Sequence, residues 1–184
     1  MTHWRVAIAS GGLLALLCAG CSAVPSDPRA VLEENASVID SAAQDPLEAL
    51  DAAGLKGTSA TGSIGLCQGP PSPGVDYSAA ITATVGNDPV GGFNALAEQL
   101  DATGWTATDA YADAGIDPST PAQEYTRGPL VLSVKTGGFS VGGTRYGADA
   151  MNLGITLSDH CVRVPDSTDF TELHDLNGEI PPRD

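Results

Sequence analysis

Apolar residues recur along this chain in two rhythms, and the switch between them predicts the elements. Leu32, Ala36, Ile39 and Ala43 follow at spacings of four, three and four, which places them on one face of a helix. Asp27-Pro28 supplies its start, an N-cap aspartate followed by proline in the first turn. Asp45-Pro46-Leu47-Glu48 repeats that start signal, with an acid three residues on, so the helix is expected to break and restart there before Gly54 ends it. A second helix is predicted from Asp88-Pro89, carried by Val90, Phe93, Ala97 and Leu100 and stopped by Gly104. Trp105 follows at once and is expected to pack where the chain turns off that helix.

Elsewhere the period is two. Tyr77, Ala79, Ile81, Ala83 and Val85 alternate with small polar residues, and Met151, Leu153, Ile155 and Leu157 do the same on the way to Cys161. Residues 58–67 are a weaker strand, rich in Thr, Ser and Gly, and the breaker-rich run 69–74 links the first pair as a surface loop. Leu130, Leu132 and Val134 predict a strand that returns through a Gly137-Gly138 turn to Phe139 and Val141 as a hairpin. The acidic stretch from Asp109 to Gln123 reads as a loop. Residues 165–184, acidic with two prolines near the end, read as a loosely ordered tail. Helix, two strands, helix, then three or four strands fit an α+β sandwich, an antiparallel sheet of about four to six strands covered on one face by two helices. The β-α alternation of a nucleotide-binding parallel sheet is missing, and no internal repeat stands out.

Residues 1–20 change the picture of where the chain works. Arg5 precedes an uncharged run from Val6 to Cys18, and Ala19-Gly20 stand just before Cys21. The run is short of the roughly 20 residues that cross a bilayer. Leu16-Leu17-Cys18-Ala19-Gly20-Cys21 resembles the lipobox of bacterial lipoproteins, except that Cys18 stands where an aliphatic residue is usual. That resemblance implies a signal peptide over residues 1–20, a thioether-linked diacylglyceryl group on Cys21, and an acylated tether over residues 21–27. An uncleaved anchor or an ordinary secretory signal is the alternative. The expected location is the extracytoplasmic face of a membrane in the cell envelope, with the membrane itself as one partner through the acyl chains.

Of the 184 residues, removal of 20 leaves 164, enough for one domain, expected over residues 28–164. The formal charge is −15, and the mature chain is more acidic still, because it loses only Arg5 of 8 basic residues and keeps all 23 acidic ones. Such a surface repels phosphate backbones and argues against nucleic acid. Lysine occurs only at Lys56 and Lys135 beside abundant Ala, Gly, Asp and Thr, a bias of GC-rich genomes such as those of actinobacteria. With Cys18 and Cys21 committed to the signal and the lipid, Cys67 and Cys161 remain. Outside the cytoplasm they are expected to pair, closing a long loop that chain entropy values at roughly 4–5 kcal/mol.

Chemical motifs are sparse. Gly138-Phe139-Ser140-Val141-Gly142 matches the G-x-S-x-G pattern, and Asp149, Asp159, His160 and His174 follow in the order a serine hydrolase uses. The motif carries chemistry only on a strand-to-helix turn, and Gly143-Thr144-Arg145-Tyr146-Gly147 makes a poor helix start; the glycines read as hairpin geometry. Walker spacing over residues 137–144 has Gly143 where lysine must hold phosphate. Asp159-His160-Cys161 with His174 lacks a second thiol for zinc. Asp109, Asp113 and Asp117, and Asp166, Asp169 and Glu172, lack the oxygen spacing of an EF-hand. No cofactor is expected.

The whole layout resembles the small cell-envelope lipoproteins of actinobacteria, the LppA-like group among them: lipobox, amphipathic helix, Cys67 near the first strand, a helix ending in Gly104-Trp105, and a late strand delivering Cys161. The resemblance implies no activity and no catalytic residues. The expectation is a non-enzymatic, lipid-anchored binding or scaffold module of the envelope. A carrier of a lipid or other apolar ligand is the alternative, and a hydrolase using Ser140 the third reading.

Overall fold

The structure, a computed structural model, describes residues 24–69, 73–111, 119–137, 140–141, 144–145 and 147–182. The signal and lipobox with Cys21, as well as Asp113, Asp117, Gly138, Phe139, Gly142 and Gly143, lie outside the described residues. The elements in chain order are α1 (Pro28–Ala52), β1 (Lys56–Gln68), β2 (Gly74–Thr84), α2 (Pro89–Ala102), β3 (Thr106–Ala107), β4 (Ala122–Arg127), β5 (Leu130–Thr136), β6 (Ser140–Val141), β7 (Thr144–Arg145), β8 (Ala150–Leu157), β9 (Val162–Arg163), a 3-10 helix (Phe170–Leu176) and β10 (Gly178–Glu179).

Both helices start as their sequences predict. Asp27 accepts a hydrogen bond from Ala30 N at 3.0 Å and Asp88 from Gly91 N at 2.8 Å. Both end on glycine at positive φ, Gly54 at 72° and Gly104 at 85°, a conformation that closes the last turn cheaply only without a Cβ. The expected break at Asp45-Pro46 does not occur: α1 runs unbroken for 25 residues with Pro46 inside it. Proline costs the helix one hydrogen bond, but Ile39, Ala42 and Ala43 before it and Ala49 and Leu50 after it all enter one core cluster. Packing of both halves on one sheet outweighs the lost bond. Asp45 caps nothing and instead pairs with Arg127.

The sheet is open and antiparallel, in the order β10-β1-β2-β8-β5-β4-β3, with β9 also paired to β2. The α+β class is as expected, but the sheet has eight strands rather than four to six. The excess lies in β3, β9 and β10, each two residues long and too short for any periodicity. One face is apolar in rows that cross the strands: Ala79, Ile155, Leu132 and Tyr125 make one row, and Ala60, Ile81, Leu153 and Val134 the next. On this face pack Ile39, Leu50, Leu96 and Leu100 from the helices, with Trp105 1% exposed at the turn where it was expected.

Two further expectations are corrected. β5 makes no hairpin with Ser140–Val141; it pairs with β4 through a turn at Gly128 and with β8, while β6 and β7 form a separate two-stranded ribbon. The stretch from residue 165 is not a loose tail over residues 166–182. Leu173 and Ile180 are buried, β10 pairs with β1, Arg29 bonds Asp175 at 2.6 Å, and Gln44 donates to Pro181 O at 3.0 Å. Apolar residues at 173, 176 and 180 give this segment something to bury.

Candidate functional site

Two features of the sheet could carry function, and the first is a break in one of its strands. β8 pairs with residues 79–84 of β2, and β9 resumes the pairing lower down at Val75 and Gly74, with the register slipped between them. The intervening residues, Ser158 to Cys161, leave the sheet as an irregular loop, the kind of interruption that re-aims side chains. Cys161 thereby reaches Cys67 at the end of β1, and the two form a disulfide with a Cα–Cα distance of 5.6 Å across a sequence separation of 94. Gly74 lies under the bridge, where a Cβ would meet both sulfurs.

The same break leaves Asp76 opposite His160. The imidazole Nε2 stands 3.8 Å from Asp76 Oδ2, and Nδ1 lies 2.9 Å from Leu157 O. Burial pushes the Asp76 carboxyl above the ordinary value of 3.8, while the positive charge of a protonated His160 pulls it back. Both ring nitrogens thus face protein partners, an arrangement that orients the loop. Ser158, Asp159, His160 and Cys161 line a cavity of about 540 Å³ at the surface.

The second feature is the face of the sheet away from the helices. Thr61, Ala80, Gly154, Ser133 and Glu124 form one row across five strands; Ser59, Thr82, Asn152, Lys135 and Ala122 form the next. Ser63, Ser78 and Gly65 continue it toward Asp76. Six of these fourteen residues are Ser or Thr, and the charges within the rows are Asp76, Glu124 and Lys135, on a chain of formal charge −15. Several bond one another or the ladder: Ser59 and Thr82 hydroxyls stand 2.7 Å apart, and Asn152 donates to Ile81 O at 3.4 Å.

The remaining motif residues are scattered. Ser140 sits on a two-residue strand paired with Thr144–Arg145, away from the strand-to-helix turn its motif requires. Asp149 precedes β8 in a turn, and Asp159 and His174 lie in separate exposed segments. Asp169 caps the 3-10 helix, its carboxyl held below the usual range by hydrogen bonds from Thr171. Among the described residues no cluster of three or more His, Cys, Asp or Glu is placed to hold a metal ion. None of their helices is long and apolar enough to cross a membrane. Cavities of about 330 and 260 Å³ flank the C-terminal segment, between Leu47 of α1, Thr58 of β1 and Pro182.

Sequence reasoning placed the disulfide but missed Asp76, a lone acid inside an alternating strand. The only signal was that acid itself, since a charge on a half-buried strand asks for a partner. No family model matches the chain, and no curated protein or solved structure matches it.

Proposed function

We propose that this chain is a lipid-anchored envelope protein without catalytic activity, whose uncovered sheet face binds another envelope component. The observation that carries the reading is that face: its rows bring six Ser and Thr residues together across the strands with a net charge of only about −1, on a strongly acidic molecule. Short side chains let a partner approach the sheet closely, and Ser, Thr and Asn offer both donors and acceptors to it. The helices give the opposite face to the core, so the sheet has one side to offer. The lipobox-like residues 16–21 support the anchor, and the residues after Cys21 act as its tether.

Photo-crosslinking amino acids placed at Thr61 and Ser63, both exposed, test this in the intact envelope against a control at Glu34 on α1. The expected result is a discrete crosslinked species from the sheet positions, lost when Ser78→Arg puts a long charged side chain into the face. Equal labelling from Glu34 would sink the reading. Native mass spectrometry of the same protein separates the carrier alternative, which requires an apolar molecule that stays bound and leaves on gentle activation.

A further inference from the structure

His160 has one ring nitrogen committed to the backbone and the other turned to a carboxylate. Nδ1 stands 2.9 Å from Leu157 O, and a carbonyl oxygen has no proton to give, so Nδ1 carries the hydrogen. In the neutral ring Nε2 is then a lone pair, and it faces Asp76 Oδ2 at 3.8 Å. That distance is too long for a hydrogen bond. It lies at the upper end of the spacing between two ligand atoms on one metal ion, since bonds of about 2.0–2.2 Å at angles of about 110–125° put them about 3.3–3.8 Å apart. A backbone carbonyl on the far N–H is also the usual support of a metal-bound imidazole, because it fixes tautomer and direction.

Both side chains are held before any ion arrives. Asp76 pairs with Gly65 across β1 and β2, and a Cβ on Gly65 would come within 3.1 Å of Asp76 Oδ1, so the glycine leaves room for the carboxyl. The Asp76 side chain is only 17% exposed, and a carboxylate so short of water gains from a cation beside it. His160 lies between two fixed points, Leu157 at the end of β8 and Cys161, which the disulfide locks to Cys67. The bridge consumes Cys161, so no thiol competes as a ligand there. Ser158, Asp159, His160 and Cys161 line the cavity of about 540 Å³, many times the ~30 Å³ that one water occupies. A partly hydrated ion has space on that side.

From this geometry we propose that Asp76 Oδ2 and His160 Nε2 form a site for a divalent transition-metal ion of the zinc class, open on the side of the cavity. Among the described residues no group of three or more His, Cys, Asp or Glu is placed to hold a metal ion, so water or a donor group of a bound partner completes the coordination. Two protein ligands make the ion exchangeable, unlike the closed four-ligand sites that hold a fold together. The imidazole selects zinc, nickel or copper over calcium and magnesium, which take oxygen ligands. The site goes beyond the binding role proposed for the sheet face and depends on neither that face nor the anchor.

The test uses the oxidised chain without an affinity tag, its remaining thiols alkylated so that they bind no metal. Zinc chloride is titrated into it calorimetrically, with calcium and magnesium present in excess. One zinc ion per chain is expected. Asp76→Asn and His160→Gln are each expected to weaken binding by at least about tenfold, whereas His174→Gln, at an exposed position, leaves it unchanged. In the unsubstituted chain, long-range proton–nitrogen spectra are expected to show zinc moving the His160 Nε2 resonance more than Nδ1, a readout that needs no variant to fold. No saturable binding below about 1 mM zinc, an unmoved Nε2, or full affinity in either variant overturns the site.

Discussion

Tyr77 lies across Gly62. Its phenol fills the place a Cβ on Gly62 would need, and from there the hydroxyl donates to Asp40 Oδ1 at 2.8 Å. One glycine in β1 thus lets a tyrosine of β2 reach a carboxylate of α1, joining three elements through one ring. Gly62→Ala is expected to cost about 2–4 kcal/mol, the sum of overpacking and a broken hydrogen bond. In a Tyr77→Ala background the same change becomes nearly free. Urea unfolding of the two single variants and the double variant measures that coupling; additive losses would contradict it.

Asp40 answers for the pH side of this contact. Burial raises its carboxyl above the ordinary value of 3.8, opposed by the Tyr77 hydrogen bond. The folded state therefore holds the Asp40 proton more tightly than the unfolded one, and stability falls as pH rises from 3.8 through the raised value. Asp40→Asn keeps an acceptor for Tyr77 and discards the desolvated charge. It is expected to raise the thermal midpoint slightly at pH 7 and to lose that advantage below pH 3.8, in scans at both pH values.

The bridge is a separate source of stability. Replacing Cys67 and Cys161 by serine together is expected to lower unfolding free energy by about 2–5 kcal/mol, from chemical denaturation of oxidised protein and variant. Gly74→Ala should also hinder closure, since its Cβ would press on both sulfurs. A thiol assay on that variant reads free cysteine directly, and a full complement of bridge would refute the crowding.

Trp105 tests what the α2–β3 turn is for. Its indole Nε1 is buried with no hydrogen-bond partner, and the Arg127 guanidinium stacks 4.6 Å from the ring centre while bonding Asp45 and Thr103 O. Trp105→Ala is expected to cost about 3–5 kcal/mol. Trp105→Phe should cost much less, because it removes an unsatisfied donor along with the lost area. Arg127→Lys loses the planar fork that serves three partners, and about 1 kcal/mol with it.

What could be read from the sequence was set by the length and regularity of each element. Tyr77, Ala79, Ile81 and Ala83 alternate, and all four are buried; the caps at Asp27 and Asp88 do as their spacing says. Pro46 misled because helix propensity is local whereas the decision was made by Ile39 and Leu50 packing on one sheet. β4 was hidden because Tyr125 is the one large apolar residue in Ala122–Arg127. Asp76 and His160 met through a slip in register between β8 and β9, which no single stretch of sequence encodes. The open face was visible only as a scatter of serines and threonines until pairing aligned them into rows.

The pairing of β10 with β1 sets the last strand against the first. A chain delivered N-terminus first must emerge at least as far as Ile180, whose N–H bonds Ala60 O, before the edge of β1 is covered. Until then the longest strand of the sheet has a bare side. Closure thus waits on a segment far from β1 in the chain, and a molecule truncated before Gly178 keeps an open edge, the form most prone to stick to its neighbours.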